Sequence, residues 1–82
     1  MASNAGFEII AEAALPQPEE TEVVYGVALG IKQTTFSPEW VTWEWSEYPG
    51  YARSYFWGHY FRNELDAYSD YRSRVVKVFK EA

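Results

Sequence analysis

The stretch 40-WVTWEWSEYPGYARSYFWGHYF-61 decides how this chain is read. Two runs dense in β-branched and aromatic side chains, residues 40–46 and 53–61, flank Pro49-Gly50. Such runs favour pleated strands. The Pro-Gly pair suits the two central positions of a type II turn, where proline fixes a negative φ and glycine accepts a positive one. A type II turn splays a tight two-residue hairpin, so the connection is expected to be longer than two residues, which leaves the register open by one.

Downstream, RNELDAYSDYRSRVVKVFKEA reads as a helix. Asn63 supplies an N-cap, Glu64 and Asp66 sit in the first turn, and Arg74, Lys77 and Lys80 gather towards the end, as the helix dipole favours. Leu65, Tyr68, Tyr71, Val75, Val78 and Phe79 recur at three- and four-residue spacing as one apolar stripe. Upstream, residues 7–12 read as a short strand, and EVVYGVALGI, residues 22–31, as another that bends or splits at Gly26. Phe36, in the connection that ends at Pro38, is expected to plug one end of the core. The fold class expected is α+β: a small antiparallel sheet of three to four strands with one C-terminal amphipathic helix packed on one face, in two layers.

At 82 residues there is room for one domain, 1–82, with residues 1–6 flexible and 15–21 an acidic, proline-containing loop. There is no cysteine and one histidine, so neither a disulfide nor a structural zinc site is expected, and no residue is assigned to a metal or cofactor. MASNAGFEIIAEAAL lacks a basic n-region and no apolar run is long enough to cross a bilayer, so no export signal, no membrane partner and a cytoplasmic location are expected.

The net charge of −5 is unevenly placed. Residues 1–47 carry eight acids against Lys32 alone, giving −7, whereas residues 48–82 carry six bases against four acids, giving +2. Phosphate binding demands a basic surface, so this balance argues against nucleic acid. The run Arg72, Arg74, Lys77, Lys80 reads most simply as the solvated end of the helix.

Twelve aromatic side chains lie between residues 40 and 71, more than one helix can cover on a small sheet. Strand alternation sorts them. The favoured register sets Val41, Trp43 and Trp45 with Phe56, Gly58 and Tyr60 against the helix, Gly58 leaving space for an indole. Trp40, Thr42, Glu44, Tyr55, Trp57 and His59 then form an open face, the candidate partner-binding site. A slip of one residue exposes Phe56 and Tyr60 instead. The competing expectation is that the amino-terminal segment folds over this face and makes it core.

Chemistry-bearing motifs are sparse. His59 with Glu44 is the one pair suited to acid–base work, and a lone histidine among aromatics is more often a packed residue. GVALG lacks the spacing of a phosphate loop. Exposed rings also suit single-stranded nucleic acid, but Glu39, Glu44 and Glu47 lie where such platforms carry cations.

VTWEW, YFWGHYF and AYSDYRSR, in that order, resemble a small uncharacterised domain of bacteriophages and mobile elements of Gram-positive bacteria. The resemblance covers residues 22–76 and implies an accessory protein that binds a host or defence protein. Some acidic proteins of that kind imitate DNA; the bases gathered at the carboxyl end here depart from that pattern. The expected function is therefore non-enzymatic protein binding through the aromatic face and its acidic rim, with a second copy of the chain, closing a homodimer, as an alternative occupant of the same face.

Overall fold

The computed structural model describes residues 2–15 and 22–81, with side chains through residue 78. Five strands form one antiparallel sheet in chain order: β1 (Ser3–Asn4), β2 (Phe7–Ala14), β3 (Val24–Lys32), β4 (Glu39–Glu47) and β5 (Ser54–Phe61). One helix, α1 (Glu64–Glu81), comes next and packs on one face. The α+β architecture is as expected, with five strands instead of three to four. The added strand is β1, which falls within the segment expected to be flexible. Ala5 and Gly6 at φ 52° and 83° make the two-residue turn that returns it onto β2, pairing Asn4 with Phe7. The acidic loop expected at 15–21 lies, beyond Leu15, outside the described residues, as does the side chain of Phe79.

The turn at Pro49-Gly50 forms as the sequence indicates. Gly50 has φ 81°, and the Tyr51 amide donates to the Tyr48 carbonyl at 3.1 Å. Residues 48–53 separate the two strands, so the connection is indeed longer than two residues. Asn63 caps α1, its Oδ1 accepting from the Leu65 and Asp66 amides at 2.8 and 3.2 Å.

The faces of the hairpin are exchanged relative to expectation. Trp40, Thr42 and Glu44 point towards α1, and Val41, Trp43 and Trp45 point away from it. Three helix residues set this choice: Ala67, fully buried, lets Trp40 and Leu29 approach closely, Asp70 accepts a hydrogen bond from Thr42, and Arg74 faces Glu44. β5 takes the favoured register near its carboxyl end and the one slipped by a residue near its amino end. Trp40 pairs with Phe61, Val41 with Tyr60 and Thr42 with His59, but Glu44 then pairs with Phe56, so Trp57 and Gly58 together oppose Trp43. This β-bulge reverses the alternation part-way along the strand.

The inward side of α1 is correspondingly rotated. Ala67, Tyr68 and Tyr71 pack on Leu29, Ile31, Trp40 and Phe61, and Arg74 is buried further along, whereas Leu65 is 78% exposed. Phe36, 97% exposed at the β3–β4 connection, does not plug the core: Thr34 and Ser37 close a local turn that leaves its ring outside.

The sheet curls around the side away from α1. Phe7 on β2 meets Trp43 on β4 edge to face, with centroids 5.6 Å apart, and reaches Tyr60 on β5 at 6.0 Å. Arg53 stacks over Trp45 at 3.8 Å and joins Glu12 across the mouth of the curl at 2.6 Å. Thus the amino-terminal strand joins the sheet and its Phe7 fills the concave face, which leaves Trp43 and Trp45 buried without a second layer. Gly26 does not split β3, whose pairing with β4 runs unbroken from Val24 to Lys32. It makes room: a Cβ there would lie 2.1 Å from the Trp45 ring. Gly26→Ala should therefore destabilise the fold by about 3 kcal/mol. Gly50→Ala, strained in φ but in open space, should cost about 1 kcal/mol. Urea denaturation of both variants gives the comparison.

Candidate functional site

Along β5, the bulge places Trp57 at φ 55°, a left-handed backbone that side-chain-bearing residues rarely adopt. Its indole is 69% exposed and meets Phe56 edge to face at 5.0 Å. Its carbonyl accepts a 2.6 Å hydrogen bond from Arg74 Nη2 on α1. The bulge thus turns a backbone acceptor out of the strand ladder and onto a helix side chain.

Arg74 is only 7% exposed, so its charge must be met inside. Its Nε lies 3.3 Å from Asp70 Oδ2, one turn earlier on α1, and its Nη1 is 3.7 Å from Glu44 Oε2 on β4. That last separation is too long for a hydrogen bond, and Nη1 is buried with none. Asp70 Oδ2 also accepts from Thr42 and contacts His59 Nδ1 at 3.1 Å. A helix carboxylate therefore gathers donors from β4, β5 and its own helix. Burial alone would raise the Asp70 pKa; the hydrogen bonds from Thr42 and His59, with the charges of His59 and Arg74, outweigh it and hold the carboxyl below its ordinary value.

Beside this network a cleft of about 500 Å³ opens between β5 and the carboxyl-terminal half of α1. Its walls are Glu44, Trp57, His59, Asp70, Ser73, Arg74, Lys77 and Val78.

Of the six residues expected on an open aromatic face, the structure brings Glu44, Trp57 and His59 to this cleft. Trp40 and fully buried Thr42 lie under α1 and cannot contact a partner. Tyr55 is on the concave side against Trp43, with centroids 5.3 Å apart. Tyr55 parts from Trp57 and His59 because of the bulge in β5. Asp70, Arg74 and Lys77 went unrecognised because the charges near the helix end read as solvated. Asp70 and Arg74 at i, i+4, in phase with Ala67, were the signal available.

His59 contacts Asp70, and not Glu44, with which it was expected to pair. Among the described residues His59 makes no hydrogen bond to a serine or threonine hydroxyl, and no group of three His, Asp or Glu side chains is placed to hold a metal ion. No described helix is long and apolar enough to cross a membrane.

A carboxylate with a depressed pKa contributes stability that is full above its unfolded value and is lost as pH falls through its folded value. The stability difference between the wild type and Asp70→Asn should therefore shrink as pH falls below about 4. Urea midpoints measured across that range give the result.

The chain matches no protein-family model, no curated protein and no solved structure.

Proposed function

We propose that this is a non-enzymatic protein-binding module whose contact surface centres on Trp57 at the bulged edge of β5. The observation that carries the reading is the combination found at that residue. A large aromatic ring is held out in solvent on a left-handed backbone, with its carbonyl tied to a buried arginine. Left-handed φ costs a side-chain-bearing residue about 1–2 kcal/mol, and a largely exposed indole returns little of it by burial. Strain that a fold retains while displaying an aromatic ring favours recognition, since tryptophan is the residue most enriched among binding hot spots.

Two further features support a protein partner. β5 is the last strand of the sheet, so one side of its backbone carries no neighbouring strand, and the exposed Tyr60 extends the aromatic surface towards the concave mouth. The net charge of −5 disfavours a polyphosphate chain. The resemblance to a phage and mobile-element domain supplies the setting, in which the partner would be a host or defence protein.

Trp57→Gly separates recognition from folding. Glycine adopts the left-handed backbone freely, so this variant should gain about 1 kcal/mol of stability while losing the partner. Urea denaturation is paired with affinity capture from lysate, nuclease-treated and untreated. Proteins retained after nuclease by the wild type and lost by Trp57→Gly are the expected result. A destabilised Trp57→Gly would show that the ring is structural, and capture abolished by nuclease would replace this reading with nucleic-acid binding.

A further inference from the structure

The cleft beneath Trp57 holds donors and acceptors in unequal states. One acceptor is fully engaged, since Asp70 Oδ2 meets Thr42, His59 and Arg74, and Glu44 is turned towards Arg74. Its donors are not. Arg74 Nη1 has no hydrogen-bond partner although the side chain is more than nine-tenths buried, and Lys77, exposed one turn further along α1, pairs with no described carboxylate. Ser73 adds a hydroxyl to the same wall. A cationic ligand would have to take a carboxylate from Arg74 and leave the buried guanidinium uncompensated, which is costly. An anion would instead complete donors that now lack partners.

The geometry points to a carboxylate-receiving pocket: an acidic side chain or chain-terminal carboxylate of the partner protein enters the cleft between Lys77 and Arg74, and the apolar part of the same segment lies on the Trp57 indole. This rests on the reading of Trp57 as the contact residue and adds the chemistry of what it contacts. The cleft wall carries Arg74 and Lys77 against Glu44 and Asp70, so once Glu44 turns aside two cations face one carboxylate, while the −7 of residues 1–47 repels an extended polyanion. A single carboxylate needs only the local field.

Glu44 then acts as a placeholder. Its Oε2 stands 3.7 Å from Nη1, which is itself shielded from solvent. It meets the guanidinium by charge alone, without the hydrogen bond that would lock it, so an incoming carboxylate that takes its place keeps the buried charge compensated. Removing the Glu44 charge should therefore tighten binding, whereas the same change would weaken binding if Glu44 were itself a contact for a basic partner.

The test is a two-dimensional ¹H–¹⁵N NMR titration of the whole chain with N-acetyl-phenylalanyl-glutamate amide, and with its glutamine counterpart, monitoring the four indole N–H signals and the amides of α1. The glutamate peptide should shift Trp57 and the residues around Lys77 and bind roughly fivefold more tightly than the glutamine peptide. Lys77→Glu, a change at an exposed position, should remove that preference, and Glu44→Gln should strengthen binding several-fold. Equal shifts from both peptides would overturn the pocket while leaving Trp57 as a contact surface. No shift from either up to the solubility limit would overturn it as well, and so would weaker binding by Glu44→Gln. Inorganic phosphate that saturates the site as tightly as the glutamate peptide would show a free-anion site in place of a peptide one.

Discussion

Arg74 is the constraint on which the rest of the arrangement turns. A guanidinium withdrawn from water needs several partners at fixed angles, and here they come from three elements: the Trp57 carbonyl on β5, Asp70 on α1 and Glu44 on β4. Meeting them fixes the rotation of α1 on the sheet. It also fixes which face of β4 is covered, since Thr42 and Glu44 must then point towards the helix. An apolar contact alone would tolerate several rotations of the helix, whereas a forked donor tolerates few. The interface is thus polar at its centre and apolar at one end, where Ala67, Leu29 and Trp40 close together.

That choice leaves the largest aromatic rings on the side without a helix. A flat sheet would expose them. The chain instead curls, and removes side chains where rings must lie: Gly26 beneath Trp45, and Gly58 beside Trp43, where a Cβ would come within 2.9 Å of the indole nitrogen. Phe7 and the Arg53–Glu12 pair cover what remains. For a domain of this size with no disulfide, a sheet that buries both of its faces is a way to enlarge the core without adding residues. The bulge in β5 serves both sides of the sheet: Gly58 makes space for Trp43 on the concave side, and Trp57 turns its carbonyl to Arg74 on the other.

Much of the architecture was legible in the sequence where local chemistry decides it. Pro49-Gly50 specified its turn, Asn63 its cap, and the spaced residues after it the helix. Gly58 was legible as room for an indole, which Trp43 takes. The faces of the hairpin were not legible, because alternation gives two sets of residues and says nothing of which is covered. The set richer in tryptophan looked like the helix-facing one, and the curl satisfied those rings by another route. The bulge was hidden for a related reason. Trp57 sits where glycine would be the usual choice, so no residue type marks its backbone as left-handed. As a regular strand, β5 would unite Tyr55, Trp57 and His59 on one face, and the bulge parts Tyr55 from the other two. The helix charges misled in the same way, since an arginine near a helix end is normally solvated and nothing local marks one that turns inward.

The central claim is that Arg74 holds Trp57 in its displayed, left-handed conformation. The most direct measurement is the backbone φ of Trp57 by NMR, from its intraresidue couplings and nuclear Overhauser effects, in the wild type and in Arg74→Lys. A positive φ at Trp57 in the wild type that is lost in Arg74→Lys, while the Trp43 and Phe7 signals of the concave face stay in place, is the result expected. An extended Trp57 in the wild type, or a left-handed one that persists without the guanidinium, would contradict the account.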